Sequence, residues 1–228
     1  MEQEKLQRLL EIQPGVTAVI GSGGKTTLLR TLGGELKDAG HTVILCTTTK
    51  IFPFSDLPND VSGLPDSAAE LLRGNALICV GTPLPDTGKL SASGIPISVL
   101  AQMADYVLVE ADGSARRPLK AHASHEPVVP EEANQSICVV GVSGFGRPIA
   151  ASAHRPELFA ALAGKKPEDL ALPEDVARVI NREKLASRCF LNQADTPERW
   201  EWARRAAVLL NCPVLAGSLW KEVYFTCL

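Results

Sequence analysis

The chain has 228 residues, of which 45% are hydrophobic and 21% are charged, a balance typical of a globular protein and unlike that of a disordered chain. Its net charge of −3 argues against a protein that coats nucleic acid through bulk positive charge. No apolar run is long enough to cross a bilayer, and the start of the chain lacks the pattern of a signal peptide. We therefore expect a cytoplasmic protein with no nucleic-acid or membrane partner.

Short runs rich in Val, Ile and Leu recur along the chain and alternate with helical segments. The apolar runs predict strands at 16–20, 42–46, 76–80, 106–110, 136–140, 189–191 and 213–217. The remaining patterns predict helices at 1–12, 26–36, 66–73, 97–103, 156–162 and 197–210. Uninterrupted apolar strands are typical of a sheet buried on both faces, and alternation with helices favours parallel pairing. We predict a three-layer, doubly wound α/β fold in one domain over residues 1–228, with a long loop insertion at about 113–135.

A glycine-rich loop lies between the first predicted strand and the next long helix. Its residues are Gly21, Ser22, Gly23, Gly24, Lys25, Thr26 and Thr27. In a phosphate-binding loop, glycines let backbone N–H groups converge on an anion, the lysine reaches the β- and γ-phosphates, and the next hydroxyl binds Mg²⁺. The strict pattern has a glycine where this chain has Val19, and the variant resembles the GTNGKTT loop of Mur ligases. The loop favours nucleotide binding over an incidental glycine-rich turn and indicates the P-loop NTPase type of α/β fold.

Acidic and hydroxyl side chains follow two of the other predicted strands. Glu110 ends the strand at 106–110, and Asp112 comes two residues later. Such acids at the carboxyl edge of a sheet hold the metal ion, or its water, in P-loop enzymes. Thr48 follows the strand at 42–46 and is a candidate for a further metal ligand, although the threonine run there is equally typical of a continuing strand. We expect Mg²⁺ to be held by Thr26 with Glu110 or Asp112, with Thr48 as the additional candidate.

The segment around 191–195 predicts a site for the base of a nucleotide. Asn192 and Asp195 stand as in the NKxD motif of GTPases, whose aspartate binds guanine, but Gln193 replaces the lysine. Because of this replacement, the motif leaves the choice between ATP and GTP open. An alternative interpretation is an ordinary helix start, with Asp195 or Thr196 as the N-cap residue.

A basic loop comes directly after the two acids. Arg116, Arg117 and Lys120 are expected near the phosphates, where they would stabilise transferred negative charge or bind an anionic second substrate. The alternative is a solvated basic loop. His154 and Arg155 lie at the start of a later predicted helix, after a glycine-rich segment. We expect them to form a second side of the site that faces the anionic substrate.

Several of these motifs occur together in a known family. The segments GSGGKTT, TTTK, LVEADGSARRPLK, HEPVVP, VVGVSGFG, HRPELF and LNQAD resemble the YqeC family over nearly the whole chain. Its members are predicted accessory proteins for selenium-dependent molybdenum hydroxylases. The resemblance implies a P-loop protein that matures the selenium-containing molybdenum cofactor or installs it. It also implies a selenium- or molybdopterin-derived anionic substrate and a molybdenum hydroxylase client as partners.

Two classes of function remain open from the sequence. The first is an enzyme that hydrolyses or transfers the γ-phosphate, in which Lys25 neutralises the phosphates, Thr26 with an acid holds Mg²⁺, and Arg116 or Arg117 acts on the second substrate. The second is a nucleotide-gated carrier or insertion chaperone for a metal cofactor, because the sequence offers no obvious base to activate water. An acyl-phosphate enzyme of the Mur ligase type is a weaker alternative, since the chain is too short for that family's substrate domains.

Overall fold

The computed structural model describes residues 4–227. The chain forms two compact units. The first contains the described residues up to Val19, together with Thr26–Asp112 and Val128–Gln135. The second contains Ile20–Lys25, Gly113–Pro127 and the described residues from Ser136 onwards. The predicted single domain over 1–228 stays a prediction.

Eight α-helices lie within residues 4–227. They are α1 (Leu6–Leu9), α2 (Lys25–Asp38), α3 (Pro65–Asn75), α4 (Ile97–Met103), α5 (Ile149–Ser152), α6 (Pro156–Ala163), α7 (Pro173–Glu183) and α8 (Pro197–Ala207). A short 3₁₀ helix covers Val142–Gly144. Within the same residues, no helix combines the length and the apolar character needed to cross a membrane.

The strands form one large sheet and two small ones. They are β1 (Gly15–Gly21), β2 (Val43–Thr47), β3 (Lys50–Ile51), β4 (Asn59–Asp60), β5 (Leu77–Val80), β6 (Thr82–Leu84), β7 (Lys89–Ser91), β8 (Tyr106–Glu110), β9 (Leu119–Lys120), β10 (Ala133–Gly141), β11 (Ala153–His154), β12 (Arg188–Asn192), β13 (Val214–Ser218) and β14 (Val223–Cys227). The nine-stranded sheet has the order β14-β13-β12-β10-β1-β8-β2-β5-β4, and β14 runs antiparallel to β13. This mostly parallel sheet with its helices confirms the predicted three-layer α/β fold of the P-loop type.

The strand registers bring the ends of the parallel strands into line. In the first unit, Glu110 at the end of β8 lies opposite both Val19 of β1 and Thr47 of β2. In the second unit, Gly141 at the end of β10 lies opposite Asn192 of β12. Glu110 and Asn192, two of the residues predicted to act on a ligand, each lie at the carboxyl end of a parallel strand.

The structure contains every predicted internal strand and helix, with ends shifted by a few residues. The predicted helix over 1–12 is wrong in extent: α1 covers Leu6–Leu9, because Glu11 adopts a left-handed φ of 49° that a continuing helix does not allow, and residues 1–3 lie outside the described part. Within the predicted loop at about 113–135, Leu119–Lys120 forms the short strand β9, and β10 begins at Ala133. No sequence pattern predicted α5, α7, β4, β14 or the strands of the two small sheets.

Candidate functional site

The backbone of the glycine-rich loop is shaped by glycines at positions that no other residue fits. Gly23 and Gly24 have φ angles of +95° and +126°, which L-residues rarely adopt. A Cβ atom at Gly23 would overlap the backbone of Gly141, and one at Gly24 would overlap the side-chain amide of Asn192. The Nδ2 group of Asn192 donates a hydrogen bond of 2.7 Å to the carbonyl of Gly23. The loop after β1 is therefore held against the ends of β10 and β12 in a shape that requires glycine.

Ser22 contributes to this loop from its buried side. Its backbone N–H donates to the carbonyl of Val139 at 2.8 Å, and its side chain is 1% exposed. The Ser22 hydroxyl, which has no hydrogen-bond partner among the described residues, lies beside a cavity of about 10 Å³ that His122 and Glu183 also line. This volume suits a single water molecule. Ser22 thus fixes the loop, with its N–H and its hydroxyl directed towards the protein interior.

The ammonium group of Lys25 is folded back over the loop. Lys25 is 4% exposed, and its Nζ donates to the carbonyl of Gly21 at 2.7 Å and to the hydroxyl of Ser114 at 3.3 Å. A buried cation is costly unless polar groups surround it, and these oxygen atoms meet part of that need. The contacts fix the positive charge at the start of α2, where the helix N-terminus favours anions. The sequence analysis did not single out Ser114; its signal is a hydroxyl placed directly after Asp112 and Gly113.

In the first unit, the hydroxyl of Thr26 contacts the carboxylate of Glu110. Thr26 is exposed, and its Oγ1 donates to Oε2 of Glu110 at 2.8 Å. Glu110 is 7% exposed, and its backbone carbonyl accepts a hydrogen bond of 2.7 Å from the hydroxyl of Thr47. Asp112 is also buried. The carboxylate of Glu110, one of the two predicted acids, therefore contacts Thr26.

The donor set at Thr26 and Glu110 fits Mg²⁺. Magnesium prefers hard oxygen ligands, and in nucleotide sites it takes one or two from the protein and the others from phosphates and water. Nowhere in residues 4–227 do three or more His, Cys, Asp or Glu side chains form a group suited to a metal ion. The hydroxyl of Thr48, the further candidate, donates to the carbonyl of Val128 at 2.7 Å. Thr26 and Glu110 therefore offer a hydroxyl and a carboxylate as oxygen ligands for such an ion.

The segment predicted to bind a base is connected to the glycine-rich loop through Asn192. Its Oδ1 accepts the backbone N–H of Leu219 at 3.1 Å, while its Nδ2 holds Gly23. The two carboxylate oxygens of Asp195 accept from the hydroxyl of Ser218 and from the guanidinium of Arg199. Asn192 thus bridges the glycine-rich loop and the segment after β13, and Asp195 lies beside that same segment.

Gln193, which replaces the lysine of the NKxD motif, has a role within the fold. Its φ is +66°, and its side-chain Oε1 accepts the hydroxyl of Ser143 at 2.5 Å. The side chain is therefore engaged by the 3₁₀ helix after β10. Thr27, the last residue of the glycine-rich motif, is exposed in the first turn of α2.

The two arginines of the basic loop stand at its surface. Arg116 and Arg117 are both exposed, and the guanidinium of Arg117 donates to the backbone carbonyl of Ala151. Ala115 and Arg116 have left-handed φ angles of 46° and 58°, which cost energy for residues other than glycine. The turn that follows Ser114 is therefore strained, and it presents Arg116 to solvent.

The residues predicted to bind a second substrate are brought together in the second unit. Lys120 in β9 lies opposite His154 in β11, and Arg155 follows. Oε2 of Glu126 accepts from both Lys120 Nζ and Arg155 Nε at 3.1 Å. Partial burial raises the pKa of Glu126, but the hydrogen bonds and charges of Arg155 and Lys120 outweigh it and lower the pKa to about 2.

This cluster places a carboxylate among the predicted anion-binding cations. The sequence analysis missed Glu126, although an acid within a run of basic residues is a signal of such pairing. The side chain of Lys120 is 1% exposed, whereas that of Arg155 is 33% exposed. Arg155 is therefore the member of the pair that a dissolved anion can reach, and Lys120 stabilises the loop from inside.

The fold and the glycine-rich loop define an α/β protein of the P-loop type, and comparison with known proteins gives its family. A family model described as YqeC protein matches residues 17–157. The chain is also 32% identical, over 177 residues, to the "Uncharacterized protein YqeC" of Escherichia coli (strain K12), an alignment covering 74% of this chain and 68% of that protein. The chain belongs to the YqeC family.

Proposed function

We propose that this protein binds a nucleoside triphosphate, ATP or GTP, with Mg²⁺ and hydrolyses or transfers its γ-phosphate. The proposed setting is the maturation of a selenium-containing molybdenum cofactor or of the hydroxylase that carries it. Membership of the YqeC family and the resemblance described above support that setting. The arrangement of the loop supports the chemistry.

One observation carries the proposal: three groups that phosphate chemistry needs lie on or beside consecutive residues. The loop backbone has the glycine conformations that let N–H groups face an anion, and the buried Lys25 ammonium follows at once. The hydroxyl of Thr26, next in the chain, is paired with the carboxylate of Glu110 at 2.8 Å. A glycine-rich turn with an incidental lysine gives no reason for this hydroxyl and carboxylate pair.

The residues would act as follows. On binding, the β- and γ-phosphate oxygens replace Ser114 as acceptors for Lys25, whose charge offsets the negative charge that spreads over the γ-phosphate in the transition state. Thr26 would supply a ligand to Mg²⁺, and Glu110 would hold the metal or one of its waters. The positive charge of the bound ion would offset the negative charge of the phosphates. Arg116, exposed on the strained turn, is available to a second substrate.

Lys25→Ala tests the proposal, with Lys37→Ala as a matched control, because Lys37 is an exposed lysine near the end of the same helix. Calorimetric titration with Mg·ATP and Mg·GTP should show binding to the wild type and to Lys37→Ala, and a loss of at least about tenfold in Lys25→Ala. Release of inorganic phosphate, measured on the same three proteins, distinguishes an enzyme from a nucleotide-gated carrier. Equal nucleotide affinity in the wild type and Lys25→Ala would refute the proposal, as would a wild type that binds neither nucleotide.

A further inference from the structure

An exposed tryptophan stands on the segment that follows β13. Trp220 is 90% exposed, the largest exposure among the bulky hydrophobic side chains of the described chain. The other two tryptophans are packed: Trp200 against Phe225 with ring centroids 3.7 Å apart, and Trp202 against Phe145 at 6.4 Å. Because its indole lies in water, Trp220 contributes little burial energy to the fold, and its ring is accessible to a ligand.

Both neighbours of Trp220 are held in place. The backbone N–H of Leu219 donates to Oδ1 of Asn192, and Leu219 is 8% exposed. The backbone N–H of Lys221 donates to the hydroxyl of Ser218 at 3.0 Å, and its Nζ donates to the carbonyl of Asp195 at 2.7 Å. The backbone at Trp220 is therefore fixed on both sides while its ring faces solvent.

The same contacts place Leu219, the residue before Trp220, beside the glycine-rich loop. Asn192, which binds Leu219, also binds the carbonyl of Gly23 at 2.7 Å. A Cβ atom built on Gly24 would lie 3.6 Å from Cδ1 of Leu219. Trp220 thus comes one residue after a side chain that borders the loop. A nucleoside attached to phosphates on that loop has to extend past one of the surrounding segments, and this segment carries an aromatic ring.

We infer that Trp220 stacks on the base of the bound nucleotide. This inference rests on the proposed function, because it needs phosphates bound at Gly21–Lys25. Stacking is tolerant of base identity, since every base has a π face. Trp220 therefore raises the affinity for ATP and for GTP alike, and any choice between the two bases falls to the groups around Asp195.

The test compares wild type, Trp220→Ala and Trp220→Phe by calorimetric titration with Mg·ATP, Mg·GTP and Mg·tripolyphosphate. Stacking on an aromatic side chain is worth a factor of roughly 5–150 in affinity. Trp220→Ala should lose that factor for both nucleotides and keep the wild-type affinity for tripolyphosphate, which has no base. Trp220→Phe should retain part of the nucleotide affinity. Val208→Ala is the control, because Val208 is also an exposed hydrophobic residue, at 74%.

Tryptophan fluorescence gives an independent measurement. Mg·ATP or Mg·GTP should quench the emission of the wild type, tripolyphosphate should not, and the nucleotide effect should be absent in Trp220→Phe. If the wild type binds tripolyphosphate and both nucleotides while Trp220→Ala binds the nucleotides equally well, the stacking role is refuted and the proposed function stands. If the wild type binds neither tripolyphosphate nor nucleotide, both are refuted.

Discussion

Replacing Asn192 with alanine should destabilise the second unit by much more than an ordinary loss of an amide side chain. Asn192 is 4% exposed, and it satisfies two backbone groups from distant parts of the chain, the carbonyl of Gly23 at 2.7 Å and the N–H of Leu219 at 3.1 Å. Alanine leaves both groups without this partner, in a place that water reaches poorly. An unsatisfied buried backbone group costs about 1–3 kcal/mol.

Two such groups give an expected loss of about 2–6 kcal/mol in the free energy of unfolding. For a chain of this size, that loss lowers the melting temperature by roughly 4–24 °C. The chain contains a matched control in Asn181, whose Nδ2 donates to the carbonyl of Leu209 and whose Oδ1 accepts the N–H of Asn211. These bonds are exposed, so water replaces them in Asn181→Ala, and we expect a loss of about 1 kcal/mol or less.

Urea unfolding, monitored by circular dichroism, gives the free energy of unfolding of both variants and of the wild type. Because the chain has two compact units, the transition has to be checked for a single step before free energies are compared. Equal losses in Asn192→Ala and Asn181→Ala would refute the reasoning, since they would show that burial of the bridging amide adds nothing. Unchanged stability in Asn192→Ala would refute it outright.

Two further predictions concern the loop and the charged cluster. Gly24→Ala should lower the free energy of unfolding and weaken Mg·ATP binding, because the new Cβ overlaps the amide of Asn192. Gly40 is the control, since it has a φ of +91° and open space around it. Gly40→Ala should cost only about 1–2 kcal/mol of stability and leave nucleotide binding, measured by calorimetric titration, unchanged. Because the pKa of Glu126 is lowered in the folded protein, its ionised carboxylate stabilises the fold at pH values above the ordinary pKa of 4.5. This stabilisation is lost as the pH falls towards about 2. After allowance for solvent screening, the free energy of unfolding of the wild type should exceed that of Glu126→Gln by about 1–2 kcal/mol at pH 6. Urea unfolding should show that this difference shrinks towards pH 2. A difference that does not change with pH would contradict the ion pairs assigned to Glu126.

Local patterns in the sequence were sufficient for much of the fold. The apolar runs located seven of the nine strands of the large sheet, because a strand buried on both faces has to be apolar along its whole length. The helix α7 was missed although Pro173 lies in its first turn and a carboxylate of Asp175 accepts the N–H of Leu172 at 2.9 Å, both of which favour a helix start. The strand β14 was missed because it is recognised by its pairing with β13, which is a property of the folded chain.

The sequence by itself located the glycine-rich loop, because its glycines, lysine and threonine are consecutive in the chain. Tertiary structure decided which distant groups these residues meet. Thr26 contacts Glu110 across 84 positions, and Arg155 contacts Glu126 across 29. Asn192 reaches Gly23 across 169 positions. Such pairings follow from strand order and register, which set the ends of separate strands side by side; no local pattern encodes them.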